Sequence, residues 1–308
     1  MIGGSGKRSW YERAGVRTGP RRLLGDELGT GRLFFPPDLV PYWDHPRVRE
    51  LPERTRGEIL ARHLFHYLEF TTHFETRVVN RATDRIAGGR CGIDVDPETR
   101  LNAYRIYCDE GYHSLCSLDV IAQVSAASAV AVVPYDFEPF LTRLDQVGQR
   151  ALPDAPALAQ LLQVVVFETL ITAILKDIPQ NPRVLTIVRD TVREHAKDEG
   201  WHHVFFSQFF RELWAQQSRA SRRRISRCLP GLIRSSLLPE QAPVRASLTR
   251  AGLGAEAVEE IMRDTYSHER VNTGIRAASR HTMRLFEETG VLGVPGASDA
   301  FAAAELLS

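Results

Sequence analysis

The sequence predicts an all-α fold built around a four-helix bundle, and three observations support this prediction. Apolar residues recur at helical spacing over long stretches, as in the segment 60–78. No stretch shows the apolar–polar alternation of a half-buried β-strand. Two stretches, 109–113 and 198–202, both read Asp-Glu-Gly-aromatic-His, which indicates that two helices repeat one structural unit.

Composition and charge exclude several classes of protein. The 308 residues are 43% hydrophobic and 25% charged, so the chain can bury a large core. The 39 basic and 38 acidic residues leave a net charge of +1, which favours neither nucleic acid nor a membrane surface as a partner. The apolar stretch 120–133 is too short to span a bilayer, and the stretch 158–175 contains Glu168 and two glutamines. The four cysteines form no Cys-x-x-Cys pair, as expected for a reduced, cytoplasmic protein.

The N-terminal part of the predicted single domain 1–308 is an arm, residues 1–53. It is rich in Gly, Pro and Arg and has weak periodicity. Three prolines in the segment 33–41 favour an extended chain, because proline restricts both its own backbone and that of the preceding residue. The aromatic residues of this segment indicate that the arm packs over the core.

Residues 54–217 are predicted to form the four-helix core, and residues 218–308 the appended helices. The core helices are expected at about 54–86, 97–127, 156–176 and 181–217, with a short helix between prolines within 134–155. The basic run 219–227 lacks interleaved aromatic residues and is interpreted as a surface feature. Later helices are expected at 238–252, 254–265, 268–288 and 298–307, the last one capped by Ser298.

The repeated stretches contain two pairs of metal-binding residue types, Glu110 with His113 and Glu199 with His202. On a helix, residues three positions apart lie on one face and can bind the same ion. Two such Glu-x-x-His pairs, together with one glutamate from each of two other helices, form the di-iron or di-manganese site of ferritin-like bundles. The core is therefore predicted to be a ferritin-like, metal-binding four-helix bundle.

Glu75 and Glu168 are the candidates for the two single glutamates. Glu75 precedes Glu110 by 35 residues and Glu168 precedes Glu199 by 31, so each can lie level with the pair on the next antiparallel helix. Glu168 lies in an apolar run, where an ionised carboxylate is costly unless it is paired or metal-bound. Each glutamate taken alone also fits a solvent-exposed helix face, and it is the joint pattern that favours metal binding. Carboxylate and imidazole ligands suit iron or manganese.

Three further residues belong to this predicted site. Asp109 is expected to hold His202 and Asp198 to hold His113, because metal-bound histidines usually donate their other N–H to a carboxylate, a carbonyl or water. His195 lies one helical turn before Glu199, on the same stripe as His202. A surface histidine, or a core histidine bonded to a backbone carbonyl, remains the alternative for His195.

With these residues identified, the chain resembles the para-aminobenzoate N-oxygenase family, the AurF-type di-iron N-oxygenases, over roughly residues 30–290. That family has a third histidine one turn before the last Glu-x-x-His pair, which His195 matches. The resemblance implies a cytoplasmic homodimer that takes small-molecule substrates. It also implies two Fe ions bound by seven residues: Glu75, Glu110, His113, Glu168, His195, Glu199 and His202. Mn or a mixed Mn/Fe pair also fits these residues.

The resemblance further implies an O2-dependent non-haem di-iron monooxygenase that oxidises an amine, expected to be an arylamine, to hydroxylamine, nitroso or nitro products. Such an enzyme needs an external electron donor, such as a reductase, and this chemistry suits natural-product biosynthesis. Arg276 and Arg280, four residues apart, are the candidates for binding a substrate carboxylate, although solvated helix faces are the better explanation for each arginine taken singly.

Three alternatives stay open at this point. The same metals are compatible with oxidation of C–H or C–C bonds of another substrate. A non-catalytic ferritin-like iron-binding protein is a second alternative, although the arm and the late helices favour a substrate pocket. A helical binding module without metal is the third, and metal analysis separates it from the others.

Overall fold

The computed structural model describes residues 9–170 and 177–307, and these residues form an all-α fold. The arm and the first half of the core contain seven helices in the described residues: α1 Trp10–Arg13, α2 Gly15–Thr18, α3 Pro46–Arg49, α4 Glu53–Phe74, α5 Asn80–Ala87, α6 Pro97–Ser128 and α7 Glu138–Ala151. The described remainder adds α8 Pro156–Leu170, α9 Thr186–Ala215, α10 Arg219–Leu237, α11 Gln241–Arg250, α12 Ala255–Thr265, α13 His268–Ala278, α14 Arg280–Glu288 and α15 Ala297–Ala303. The predicted ferritin-like bundle with additional helices is confirmed.

Four helical rods form the bundle that holds the candidate site. The first rod is α4 and α5 joined by a π-helical turn, Glu75–Val79, and it packs along α6. The other two rods, α8 and α9, pack along each other, and α6 also contacts α9. The apolar core is continuous from Phe35 in the arm to Leu306 near the end of the chain.

Local signals explain where the second bundle helix begins and ends. The side chain of Asp96 accepts a hydrogen bond from the Thr99 N–H, which satisfies one of the free amides at the start of α6, and Pro97 occupies its first turn. The helix ends at Ser128, and the next residue, Ala129, adopts a left-handed conformation with φ of 56°.

Some predicted boundaries are wrong. The helix expected from 181 begins only at Thr186, because Leu33 of the arm forms an isolated parallel bridge with Val184 and keeps that segment extended. The expected helix 268–288 is interrupted at Ser279, and Gly296, not Ser298, caps α15. The predicted end of the third core helix, 171–176, lies outside the described residues.

The arm packs on the core. Phe35, Val40 and Tyr42 are buried, and Leu33 exchanges backbone hydrogen bonds with the segment before α9. The segment 33–41 is extended only in part, because Pro37–Leu39 forms a 3-10 turn. Among the described residues, no helix combines the length and apolar character needed to cross a bilayer.

Candidate metal centre

Seven acidic and imidazole side chains from all four rods meet inside the bundle. Glu75 opens the π-turn of the first rod, α6 provides one Glu-x-x-His pair, α8 provides Glu168, and α9 provides His195 with the other pair. All seven side chains are buried: Glu75, Glu110, His113, Glu168, His195, Glu199 and His202. The bundle therefore brings together every residue that the sequence proposes as a metal ligand.

These residues form two adjacent groups that share Glu199. One group contains Glu75, His113, His195 and Glu199, and the other contains Glu110, Glu168, Glu199 and His202. Within each group, one ligand atom from every residue lies within 4.8 Å of the others. Two neighbouring sites with a shared carboxylate are the arrangement expected for a pair of bridged metal ions.

The distances show which nitrogen of each imidazole faces the cluster. His202 Nδ1 lies 3.1 Å from Glu110 Oε1 and 3.3 Å from Glu199 Oε1, and His113 Nδ1 lies 3.2 Å from Glu110 Oε2. His195 instead points its Nε2 at Glu75 Oε1, at 2.9 Å, and at Glu199 Oε1, at 3.1 Å.

Several of these atoms are buried without a hydrogen bond, which is the structural sign that a metal fits here. They include Glu168 Oε2 and Glu199 Oε2, which have no hydrogen-bond partner. Glu75 Oε1, Glu110 Oε1 and His202 Nδ1 also lack a well-directed hydrogen bond, although each lies within 3.1 Å of an oppositely charged atom. A buried polar atom without a partner destabilises the fold by about 1–3 kcal/mol, so such atoms are unusual in one place unless a ligand satisfies them. Four carboxylates and three imidazoles match the donors that iron and manganese bind.

Electrostatics supports the same interpretation. Burial, followed by the negative charges of Glu199 and Glu110, raises the pKa of Glu168 well above its usual value. Burial opposes ionisation of Glu199 as well, but the charge of His202 and the hydrogen bond from His195 hold the pKa of Glu199 well below its usual value. Four buried carboxylates cannot all ionise without cations, and two divalent ions would supply the required charge.

Asp109 and Asp198 contact the outer nitrogens of two histidines. Asp109 Oδ2 lies 3.3 Å from His202 Nε2, and Asp198 Oδ2 lies 3.4 Å from His113 Nε2. Burial works against charge on Asp198, yet the hydrogen bond from His113 holds the pKa of this carboxyl below its usual value. Each carboxylate thus fixes a ring so that its Nδ1 faces the cluster.

The N-terminal arm supplies further partners to both aspartates, and sequence reasoning missed these contacts. The Trp10 indole N–H donates to Asp109, at 3.0 Å from Oδ1 and 2.9 Å from Oδ2. The backbone N–H of Gly15 donates to Asp198 Oδ2 at 3.0 Å. No local sequence pattern predicts contacts between residues so far apart in the chain.

A cavity of about 440 Å³ lies on the outer side of His202. Its wall includes Trp10, Arg13, Arg105 and Phe205, together with Asp109 and His202 themselves. Trp10 and Arg13 of the arm therefore contribute to the wall of a cavity that otherwise consists of residues of α6 and α9.

Arg276 and Arg280 do not reach the cluster in the described structure. Both side chains are exposed, and neither lines the cavity beside His202. Their spacing of four does not place them on one helical face, because α13 ends at Ala278 and α14 begins at Arg280.

The helical bundle contains two adjoining groups of buried Glu and His residues. These features place the chain in the class of ferritin-like, candidate metal-binding proteins. Within this class, the chain belongs to the family described as P-aminobenzoate N-oxygenase AurF, whose profile matches residues 25–290. A relative from Streptomyces thioluteus, 4-aminobenzoate N-oxygenase, is 24% identical over 286 residues, which cover 90% of this chain and 84% of the relative. The predicted family is therefore confirmed.

Proposed function

We propose that this protein is an O2-dependent di-iron oxygenase that oxidises the nitrogen of a small amine. The observation that carries the proposal is the pair of buried Glu/His groups joined at Glu199, in a chain of the N-oxygenase family. The relative named for 4-aminobenzoate supports an arylamine as the substrate class. The product is a hydroxylamine, or a nitroso or nitro compound if oxidation continues.

The two groups divide the ligands between two ions. Glu75, His113 and His195 would hold one ion, and Glu110, Glu168 and His202 the other, with Glu199 available to both. Each of the four glutamates has one buried oxygen without a well-directed hydrogen bond, and these are the atoms that the ions would satisfy. When bound, iron would supply the O2 chemistry, including the electrons that reduce O2, and manganese or a mixed pair also fits these donors.

The protein's own residues position and protect this site. Asp109 and Asp198 accept the outer N–H of their histidines, which holds each Nδ1 towards the cluster. Phe74 and Phe167 stack on each other beside Glu75 and Glu168, and they help to exclude water from the carboxylates. A site from which water is excluded protects reactive oxygen species from side reactions.

The family resemblance also supports finer features. The proposal therefore includes an external electron donor such as a reductase. It also includes a homodimer, a cytoplasmic location and a place in natural-product biosynthesis. We do not propose Arg276 and Arg280 as substrate-binding residues, because they are exposed and lie apart from the cavity beside His202.

Metal content and product analysis test the proposal. The protein is loaded anaerobically with Fe(II), its iron is counted, and the reduced protein is mixed with O2 and a panel of aryl and alkyl amines while products are followed by mass. We expect two irons per chain, a lower count in His202→Ala, and N-oxygenated arylamines as products. A folded protein that binds no metal would refute the site, and oxidation at carbon alone would refute the reaction. Mineralisation of many irons per chain would favour iron storage instead.

A further inference from the structure

Trp10 is connected to the candidate metal centre through hydrogen bonds. Its indole N–H donates to Asp109, and Asp109 in turn accepts from His202 Nε2 at 3.3 Å. The other ring nitrogen of His202 faces Glu110 and Glu199. Two consecutive groups, Asp109 and His202, therefore join an aromatic ring in the arm to the buried cluster.

The outer end of this chain reaches solvent. Trp10 is only half-buried and forms part of the wall of the cavity beside His202. The ring of Tyr11 stands edge-on to the indole, with 5.1 Å between ring centroids, and Tyr11 is 55% exposed. An electron carrier at the surface can thus approach an aromatic pair that is hydrogen-bonded to the site.

The second aspartate shows how specific this arrangement is. Asp198, which holds His113, accepts the backbone N–H of Gly15. A backbone amide can fix the position of a carboxylate, but it is not a redox-active group. The two aspartates are matched in their histidine contacts, and Asp109 is the one whose arm contact is an indole.

The buried position of the cluster creates a need for such a route. The ligand side chains are almost fully buried, so an external donor cannot touch the metals. We infer that the chain Trp10–Asp109–His202 is the route by which reducing electrons reach the iron pair, an inference that rests on the proposed di-iron function. Each transfer oxidises a one-electron donor and reduces one ferric ion to ferrous, so two transfers prepare the pair for one O2 and no covalent bond changes.

Trp10, the outer residue of this route, lies outside the range on which the family assignment rests, whereas Asp109 and His202 lie within it. The matched range begins at residue 25, whereas Trp10 and Gly15 precede it. The contrasting explanation is that Trp10 only braces Asp109. The two explanations differ in one observable, the rate at which an already assembled ferric site is reduced.

The test is the anaerobic reduction of the iron-loaded ferric protein by reduced methyl viologen, followed by stopped-flow absorbance. This one-electron donor is too bulky to enter the buried cluster. Trp10→Phe keeps an aromatic ring but removes the N–H, and we expect reduction to slow by roughly tenfold or more while iron content and ferric spectrum stay unchanged. Trp10→Tyr, which restores a hydroxyl donor and an oxidisable ring, should recover part of the rate.

A matched control is Trp43→Phe, the same substitution elsewhere in the arm, where Trp43 stacks on Arg56. It should be reduced at the wild-type rate. Wild-type reduction rates in Trp10→Phe would overturn the inference, and so would loss of iron or an altered ferric spectrum, since Trp10 would then be a brace. If the wild-type protein itself assembles no reducible iron site, the proposed function fails, which is a different outcome.

Discussion

Glu168→Met changes the free energy of unfolding in opposite directions with and without metal. Glu168 is 1% exposed within an apolar helix, and its Oε2 has no hydrogen-bond partner. Methionine has a similar length and is apolar, so it fills the space without a polar atom to satisfy. We expect the metal-free variant to be more stable than the metal-free wild type by about 1–3 kcal/mol, the cost of one unsatisfied buried group.

The sign follows from the raised pKa of Glu168. Because the folded pKa lies above the unfolded one, the stability that this group contributes is complete below the unfolded pKa and falls as pH rises towards the folded pKa. At pH 7 the wild type has therefore lost part of the contribution of Glu168 to its free energy of unfolding. The variant has no carboxyl at this position and shows no such loss. The advantage of the metal-free variant should shrink as the pH is lowered towards about 4, the unfolded pKa of a glutamate, and should stay constant below that pH.

Metal reverses the order. Metal at about 1,000 times its dissociation constant stabilises a folded protein by about 4.1 kcal/mol, which exceeds the metal-free advantage of the variant, and the variant loses one of the four ligands of one group. Urea unfolding monitored by circular dichroism, with anaerobic Fe(II) or with chelator, measures both differences. Glu69→Met on α4 is the control, because Glu69 pairs with His73 outside the cluster. Lower stability of the metal-free variant, together with equal stabilisation by metal, would refute the reasoning.

Three further predictions concern the same bundle. His195→Ala should keep the fold but weaken metal binding and change the optical spectrum of the loaded site, whereas unchanged spectra would reject its role as a ligand. Metal affinity should rise with pH, because the raised pKa values of Glu168, His113 and His202 mean that metal displaces protons, and calorimetry in buffers of different ionisation enthalpy counts them. Gly148→Ala should destabilise the protein by about 1–3 kcal/mol, because the new Cβ would lie 2.6 Å from Ala159 Cβ, whereas Gly57→Ala meets nothing within 4 Å and should be neutral or stabilising in thermal unfolding.

The clustering of the seven candidate ligands was predictable from sequence because these residues follow helical periodicity. The Glu-x-x-His pairs and Glu168 stand out as acidic and imidazole residues at fixed spacing or in apolar surroundings, and each such signal is local. The helix boundary before Thr186 was not predictable in the same way. It depends on the arm residue Leu33, which bonds to the segment across the fold.

The arm contacts to the site were also beyond sequence reasoning. Trp10 meets Asp109, and Gly15 meets Asp198, through contacts that depend on how the whole chain is folded. The arginine pair of the late helices shows the opposite error. Their spacing of four has meaning only on a continuous helix, and the break at Ser279 removes it.

The π-turn at Glu75 lets one rod present two different faces. In an α-helix each residue advances by about 100°, so one extra residue rotates every later side chain away from its former neighbours. Here the wide turn Glu75–Val79 lies between α4 and α5, and both helices pack against α6. The first bundle helix therefore consists of two consecutive helices, α4 and α5. The carboxylate of Glu75, which lies between them, can point into the bundle while both helices stay packed on the core.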